Sequence, residues 1–173
     1  MIVFWFLLIV ILFQRGLELV FAKKNEQWMK QRGGKEFGAN HYKWIVLLHL
    51  SFFLCLTIEV FYKGGELIPL WPIFLSLFIT AQIVRAWVLT SLGKYWNTKI
   101  IVLPGEKRVK KGPYQWVSHP NYWVVAIELF TLPLIFQAYV TALLFTIANA
   151  GFLLFVRIPK EEEALKWLVD AEQ

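Results

Sequence analysis

Gly112-Pro113-Tyr114-Gln115-Trp116-Val117-Ser118-His119-Pro120-Asn121-Tyr122 closes a basic loop and opens an apolar run. One hydrophobic hairpin later comes Arg157-Ile158-Pro159-Lys160-Glu161-Glu162-Glu163-Ala164-Leu165. Ionisable and helix-starting residues therefore stand at the edge of two apolar segments, where a membrane protein can hold a charged cosubstrate against an apolar one. Pro120 suits the first turn of a helix because it has no amide hydrogen to satisfy, so Ser118 or His119 is expected to cap the span that follows. The free amides and positive dipole end there favour an anion, such as an amino-acid carboxylate or a phosphate, with His119 beside it as a hydrogen-bond donor. A proline-started helix with an interfacial tyrosine reads the same way, and both readings stand at this point.

Composition sets the class around this stretch. Hydrophobic residues make up 58% of 173 and charged residues 17%, and apolar runs able to cross ~30 Å of hydrocarbon recur. The expectation is an all-α integral membrane protein, residues 1–173 forming one domain. It has about five transmembrane helices: Met1 to about Ala22, Trp44 to Tyr62, Leu67 to Leu92, Tyr122 to Phe136 and Ala138 to Val156. The first begins like a secretory signal but lacks a basic leading region and a small-residue cleavage site, so it is expected to stay as a helix. A net charge of +6 would point to nucleic acid in a soluble protein. Here the basic residues lie between apolar runs, which makes the lipid bilayer the partner and argues against nucleic acid. Cys55 has no second cysteine to pair with, so neither a disulfide nor a metal site is expected.

Lysine and arginine placement orients the spans. Lys23, Lys24, Lys30, Arg32, Lys35 and Lys43 occupy one loop, and Lys94, Lys99, Lys107, Arg108, Lys110 and Lys111 another. The positive-inside rule then puts both loops and the carboxyl tail in the cytoplasm and the amino terminus outside. The first loop reads as an amphipathic surface helix broken at Gly33-Gly34. In the second, the β-branched run Lys99 to Leu103, the turn Pro104-Gly105 and the charged run Glu106 to Lys111 read as a short hairpin or extended lid, or as a solvated basic loop on headgroups.

The distal cluster offers more chemistry. If the last span continues past Pro159, Arg157 and Glu161 lie one turn apart on one face, and the proline leaves the Phe155 carbonyl without its usual helical partner. Such a helix is a plausible ligand wall, and the alternative is a basic anchor followed by a solvated acidic tail. Arg15 and Glu18 can pair at i, i+3, Arg85 can snorkel to the cytoplasmic end, and Glu59 lies near the outer end. Glu128 falls seven residues past Asn121 on much the same face and is expected to line the same cavity and bind substrate.

These residues resemble the isoprenylcysteine carboxyl methyltransferase family, whose members carry Gly-x-Tyr, Arg-His-Pro-x-Tyr and a distal Arg-x-x-x-Glu-Glu-x-x-Leu. Here they stand as Gly112-Pro113-Tyr114, Ser118-His119-Pro120-Asn121-Tyr122 and Arg157 through Glu161-Glu162 to Leu165. The resemblance covers about Trp96 to Trp167, so residues 96–167 form the motif-bearing catalytic part. The whole chain is similar to the short bacterial branch, some of whose members are associated with O-methylation of lipophilic polyketides such as alkylpyrones. It implies a bacterial cell membrane and S-adenosylmethionine as methyl donor. The donor would be held on the cytoplasmic side by a loop and a short C-terminal helix, through Glu106, Lys107, Arg108, Val109, Tyr114, His119, Pro120, Asn121 and Tyr122. It also implies that Arg157 and Glu161 are catalytic, with Arg157 at the lipophilic acceptor. Two departures bear on that acceptor: Ser118 replaces the usual arginine, and the sequence reaches Gln173 without the tyrosine-rich tail of many relatives.

The expected reaction is in-line displacement of a methyl group from sulfur to oxygen. A carboxylate or enolate already carries the nucleophilic charge, so alignment and desolvation matter more than a base. Glu161 or His119 matters as a base only for a neutral hydroxyl or enol. The site should open to the cytosol for the donor and sideways to lipid for the acceptor, between the later spans. Two other classes are compatible with the motifs. One is a membrane NADPH-dependent sterol or enone reductase, which shares a His-Pro-Asn-Tyr segment but needs more chain for a dinucleotide. The other is a non-catalytic membrane binding protein.

Overall fold

Hydrocarbon offers the backbone no water, so the apolar runs fold as helices that satisfy their own amides and carbonyls. The computed structural model describes residues 1–170, and the carboxyl end at Gln173 lies outside them. Six helices follow in order: α1 (Ile2–Lys30), α2 (Ala39–Tyr62), α3 (Trp71–Leu92), α4 (Pro120–Ile135), α5 (Tyr139–Phe152) and α6 (Ile158–Asp170). A π-helical turn, Leu153–Arg157, joins α5 to α6, and two short strands, β1 (Lys35–Phe37) and β2 (Ile100–Val102), with 3-10 turns at Gly93–Tyr95 and Gly112–Gln115, complete the described residues.

Among the described residues four stretches, not five, are long and apolar enough to cross a membrane: Ile2–Lys30, Ala39–Tyr62, Trp71–Tyr95 and Tyr139–Leu168. The expected fourth span, α4, is apolar but has 16 residues. That is about 24 Å of helix at 1.5 Å per residue, against ~30 Å of hydrocarbon. Prolines bracket it: Pro120 begins the helix, and Pro133 lies three residues before the turn at Phe136 and Gln137 that leads into α5.

At the end of the bundle holding that turn, Phe4, Leu8 and Ile11 of α1 share one core cluster with Phe52, Leu56 and Val60 of α2, Leu132 and Ile135 of α4, and Phe136 of the turn. Glu59 reaches across to accept hydrogen bonds from the Val140 and Thr141 amides at 3.1 and 2.8 Å. A carboxylate there satisfies the exposed amides and dipole at the start of α5. The outward faces of α1, α2, α3 and α5 are apolar and exposed, as lipid contact requires.

The opposite end is built from the two basic loops. α1 runs on to Lys30, so the expected surface helix is the continuation of the first span. The chain does break at Gly33-Gly34, where a Cβ on Gly34 would stand 2.8 Å from the Met29 carbonyl oxygen. β1 then pairs antiparallel with β2, Lys35 opposite Val102 and Phe37 opposite Ile100. The β-branched run thus finds its partner in the other loop and not in the charged run behind Pro104-Gly105. Burial explains the choice. Ile100 and Val102 cover Ala164 and Leu168 of α6, and Ile101 covers Met29, whereas Glu106, Lys107 and Arg108 stay in water.

Between the two ends lies a network that the sequence hides. Arg85 of α3 grips Glu18 of α1 through Nε and Nη2, both at 2.8 Å, and meets Glu128 of α4 at 3.1 Å. Arg15 bridges the same two carboxylates at 2.7 and 2.8 Å. Gln82 donates to Glu128 at 2.7 Å and Gln14 to Glu18 at 3.1 Å. Arg85 therefore does not snorkel; it is buried between two carboxylates. Removing one member leaves an uncompensated charge in an apolar setting. Arg85→Leu is expected to cost about 3–5 kcal/mol, read as a lower unfolding midpoint in detergent, and more than Arg85→Lys costs.

Candidate functional site

The 3-10 turn Gly112–Gln115 buries Pro113 and sets Tyr114 on a cavity wall. Gly112 sits at φ 56°, and a Cβ there would run into Ser91, so the turn depends on glycine. Burial pushes the Tyr114 phenol well above its ordinary value, which keeps it neutral.

Pro120 opens α4 as expected, but neither Ser118 nor His119 caps it. His119 occupies the cap position and turns its ring to α6 instead. Its Nε2 lies 2.8 Å from Glu162 Oε1, and its Nδ1 lies 3.5 Å from Glu161 Oε2, near enough for charge attraction but outside hydrogen-bond alignment. The ring stacks on Tyr122 with centroids 5.4 Å apart. Tyr122 donates its hydroxyl hydrogen to Glu161 and accepts from Arg157 Nε at 3.2 Å, while Arg157 Nη2 donates to the Thr98 carbonyl at 2.8 Å. Arg157 and Glu161 are thus coupled through a tyrosine. The π turn makes this possible by passing the Ile158 amide back to the Leu153 carbonyl, so the helix runs through Pro159 without a break.

These groups border one cavity of about 550 Å³. Of the residues expected to form the donor site, Glu106, Lys107, Arg108, Val109, Tyr114, His119, Asn121 and Tyr122 lie on its wall, as do Arg157 and Glu161. Pro120 is buried behind the wall as the helix starter. Glu128 is placed differently from the expectation: it is held in ion pairs with Arg15 and Arg85 and is absent from the wall. Its arginine partners and Glu18 border the cavity in its stead.

The first two helices, read from sequence only as hydrophobic, supply the rest of the wall. Leu12, Gly16 and Leu19 of α1 face Ile45, Val46, His49 and Leu50 of α2 across the cavity. Leu12, Leu19, Val46 and Leu50 are also exposed on the outer, lipid-facing surface. The apolar part of the wall that also reaches the outer surface thus lies on α1 and α2. α4 and α5 are closed against each other by a tight turn, whereas α1 and α2 share only the aromatic core cluster at their far ends.

The arrangement defines a multi-spanning membrane protein with a polar, cationic pole and an apolar wall on one cavity. Residues 74–167 match the Isoprenylcysteine carboxyl methyltransferase (ICMT) family, and the chain belongs to that family of S-adenosylmethionine-dependent methyltransferases. It is 48% identical over 163 residues to the uncharacterized protein YpbQ of Bacillus subtilis (strain 168), covering 94% of this chain and 96% of that one. It is 28% identical over 155 residues to an uncharacterized protein of Haemophilus influenzae, covering 89% and 90%. No solved structure matches.

The Glu161 carboxylate, with Glu162 adding to it, holds the His119 pKa above the ordinary histidine value of 6.5. Because the folded value is raised, this stabilisation is complete below about pH 6.5 and is lost as pH climbs through the folded value. In an NMR titration His119 should change charge above the ordinary value, and Glu161→Gln should return it downward. The stability advantage of the parent over His119→Gln should shrink across the same rise in pH.

Proposed function

We propose that the chain transfers a methyl group from S-adenosylmethionine to an acidic oxygen, a carboxylate, enol or phenol, of a lipophilic acceptor at the membrane. The acceptor class is an alkylpyrone-type polyketide or a prenylcysteine-like molecule. The observation that carries this reading is the single cavity joining the Arg157, Tyr122 and Glu161 cluster to the apolar wall on α1 and α2.

The residues at the start of α4 suit the donor. No side chain caps the helix, and Asn121 Oδ1 and His119 Nδ1 are buried without a hydrogen-bond partner among the described residues. Free amides favour a carboxylate, and an unused amide oxygen suits an ammonium group. Glu106, Lys107, Arg108, Val109 and Tyr114 border the same space. When bound, S-adenosylmethionine supplies an electrophilic methyl group on a sulfonium. Arg157 orients the acceptor: Nε and Nη2 are held by Tyr122 and Thr98, which leaves Nη1 to hold an anionic oxygen. Glu161 fixes Tyr122 and is available to take a proton from a neutral enol or phenol. Membership of a methyltransferase family leaves the reductase reading without support.

Both basic loops, and with them the donor side, are assigned to the cytoplasm by the charge bias. In a Cys55→Ser background, an impermeant thiol reagent on intact cells should label Lys63→Cys and spare Lys110→Cys; the reverse pattern inverts the protein. In detergent, His119→Ala and Tyr114→Ala should each weaken S-adenosylmethionine binding roughly tenfold by calorimetry. Arg157→Ala should keep donor affinity yet lose roughly 100-fold in transfer of labelled methyl to an organic-extractable product. Label found only in water-soluble products, or an active Arg157→Ala, contradicts the proposal.

A further inference from the structure

Asn149 of α5 is fully buried at the cavity wall, and neither its amide nitrogen nor its amide oxygen has a hydrogen-bond partner among the described residues. Several threonines inside other helices are settled on their own backbone. Thr57, Thr80 and Thr131 each donate to the carbonyl four residues back. Asn149 does nothing of the kind. A carboxamide offers two donors and two acceptor positions, and leaving all of them unmet in an apolar interior is unfavourable. Its natural complement is a group that enters the cavity.

The position of Asn149 shows where that group lies. Leu153 and Arg157 follow it at four-residue steps along the same wall, so its backbone lies about 12 Å along the helix axis from that of Arg157, on the bilayer side. Arginine leans back toward the start of its helix, which shortens the gap between the two side chains. His49 of α2 also borders the cavity, its Nδ1 2.7 Å from the Ile45 carbonyl, the geometry of a ring whose Nε2 is free to accept. Val125 of α4 contributes apolar surface to the cavity.

We infer that Asn149 is a specificity-determining residue that hydrogen-bonds a second oxygen of the lipophilic acceptor, a carbonyl or hydroxyl on the membrane side of the reacting oxygen. The inference rests on the reading of this cavity as the acceptor site. It selects among acceptors: a ring bearing two oxygens ahead of its tail satisfies Asn149, whereas one with hydrocarbon directly behind the reacting oxygen leaves the amide buried and unpaired. Sites built to hydrogen-bond a substrate group reject analogues that lack it far more strongly than apolar pockets do.

Pentadecylphenol and pentadecylresorcinol, which differ by one ring hydroxyl, test this directly. Binding of each to the full-length protein in detergent is followed by tryptophan fluorescence, with transfer of labelled methyl measured in parallel. The parent should bind the resorcinol at least about tenfold more tightly than the phenol. Asn149→Leu should bind the two within about twofold while keeping its affinity for S-adenosylmethionine. Ligand-free Asn149→Leu should also melt at or above the parent's temperature, since it removes an unpaired buried amide. A lowered melting temperature would assign Asn149 a structural partner such as a trapped water and overturn the inference. So would equal binding of the two probes by the parent, or a preference that survives in Asn149→Leu. Discrimination that depends on Asn149 without methyl transfer would uphold this assignment and count against the methyltransferase proposal alone.

Discussion

Two guanidinium groups and two carboxylates, of no net charge, lie buried among helices that otherwise face hydrocarbon, and the site is hung from them. Arg85 and Arg15 each touch both Glu18 and Glu128, so α1, α3 and α4 are tied at one level. A lone charge in this setting is very unfavourable. Four together, with Gln14 and Gln82 filling remaining hydrogen-bond positions, satisfy one another. An apolar substitute of equal volume would hold the helices as well or better. It would not give the cavity a polar inner wall, which Arg15, Glu18 and Arg85 provide. The network also explains how a helix as short as α4 is kept in place: Glu128 is its fixed point.

The cavity follows from that tie. At one end α1 and α2 are each anchored to the later helices by aromatic packing, Phe4 edge-on to Phe136 at 5.2 Å and Phe52 edge-on to Phe145 of α5 at 5.6 Å. At the other end the strand pair joins the two loops, and Lys99 lies 2.7 Å from Glu26. Between these clamps α1 and α2 face one another across open space, with apolar residues that also reach the lipid surface.

Local chemistry was legible where a residue acts through its own backbone or its near neighbours. Pro120 starts α4, Gly33-Gly34 ends α1, and the spacing of Arg157 and Glu161 puts both on one wall. The residues from Glu106 to Tyr122 that border the cavity lie on one loop that ends on a helix. What the sequence concealed depends on distant partners. Arg85 reads as a snorkelling cation until Glu18 and Glu128, far along the chain, are seen on either side of it. Ile100 to Val102 reads as half of a local hairpin because nothing in its neighbourhood announces Lys35–Phe37 as the other strand. His49 and Asn149 carried no motif; a polar residue inside an apolar run was the one available signal, and it does not say which way the side chain faces.

The π turn before Pro159 resolves a conflict of periodicity as well as one of hydrogen bonding. An ideal helix turns about 100° per residue, so the twelve residues from Asn149 to Glu161 would rotate the wall by about 120° and carry Glu161 off the cavity. A single π turn adds one residue to the helix without adding its rotation, which leaves a net offset of about 20°. Asn149, Arg157 and Glu161 accordingly border the same space. Pro159 suits this place because the widened turn already redirects the local amides and carbonyls, including the bond from the Ile158 amide to the Leu153 carbonyl. The helix thus presents a basic and acidic pair and, two turns earlier, an amide to the cavity on one continuous face, a placement that regular α-helical geometry over the same residues would not give.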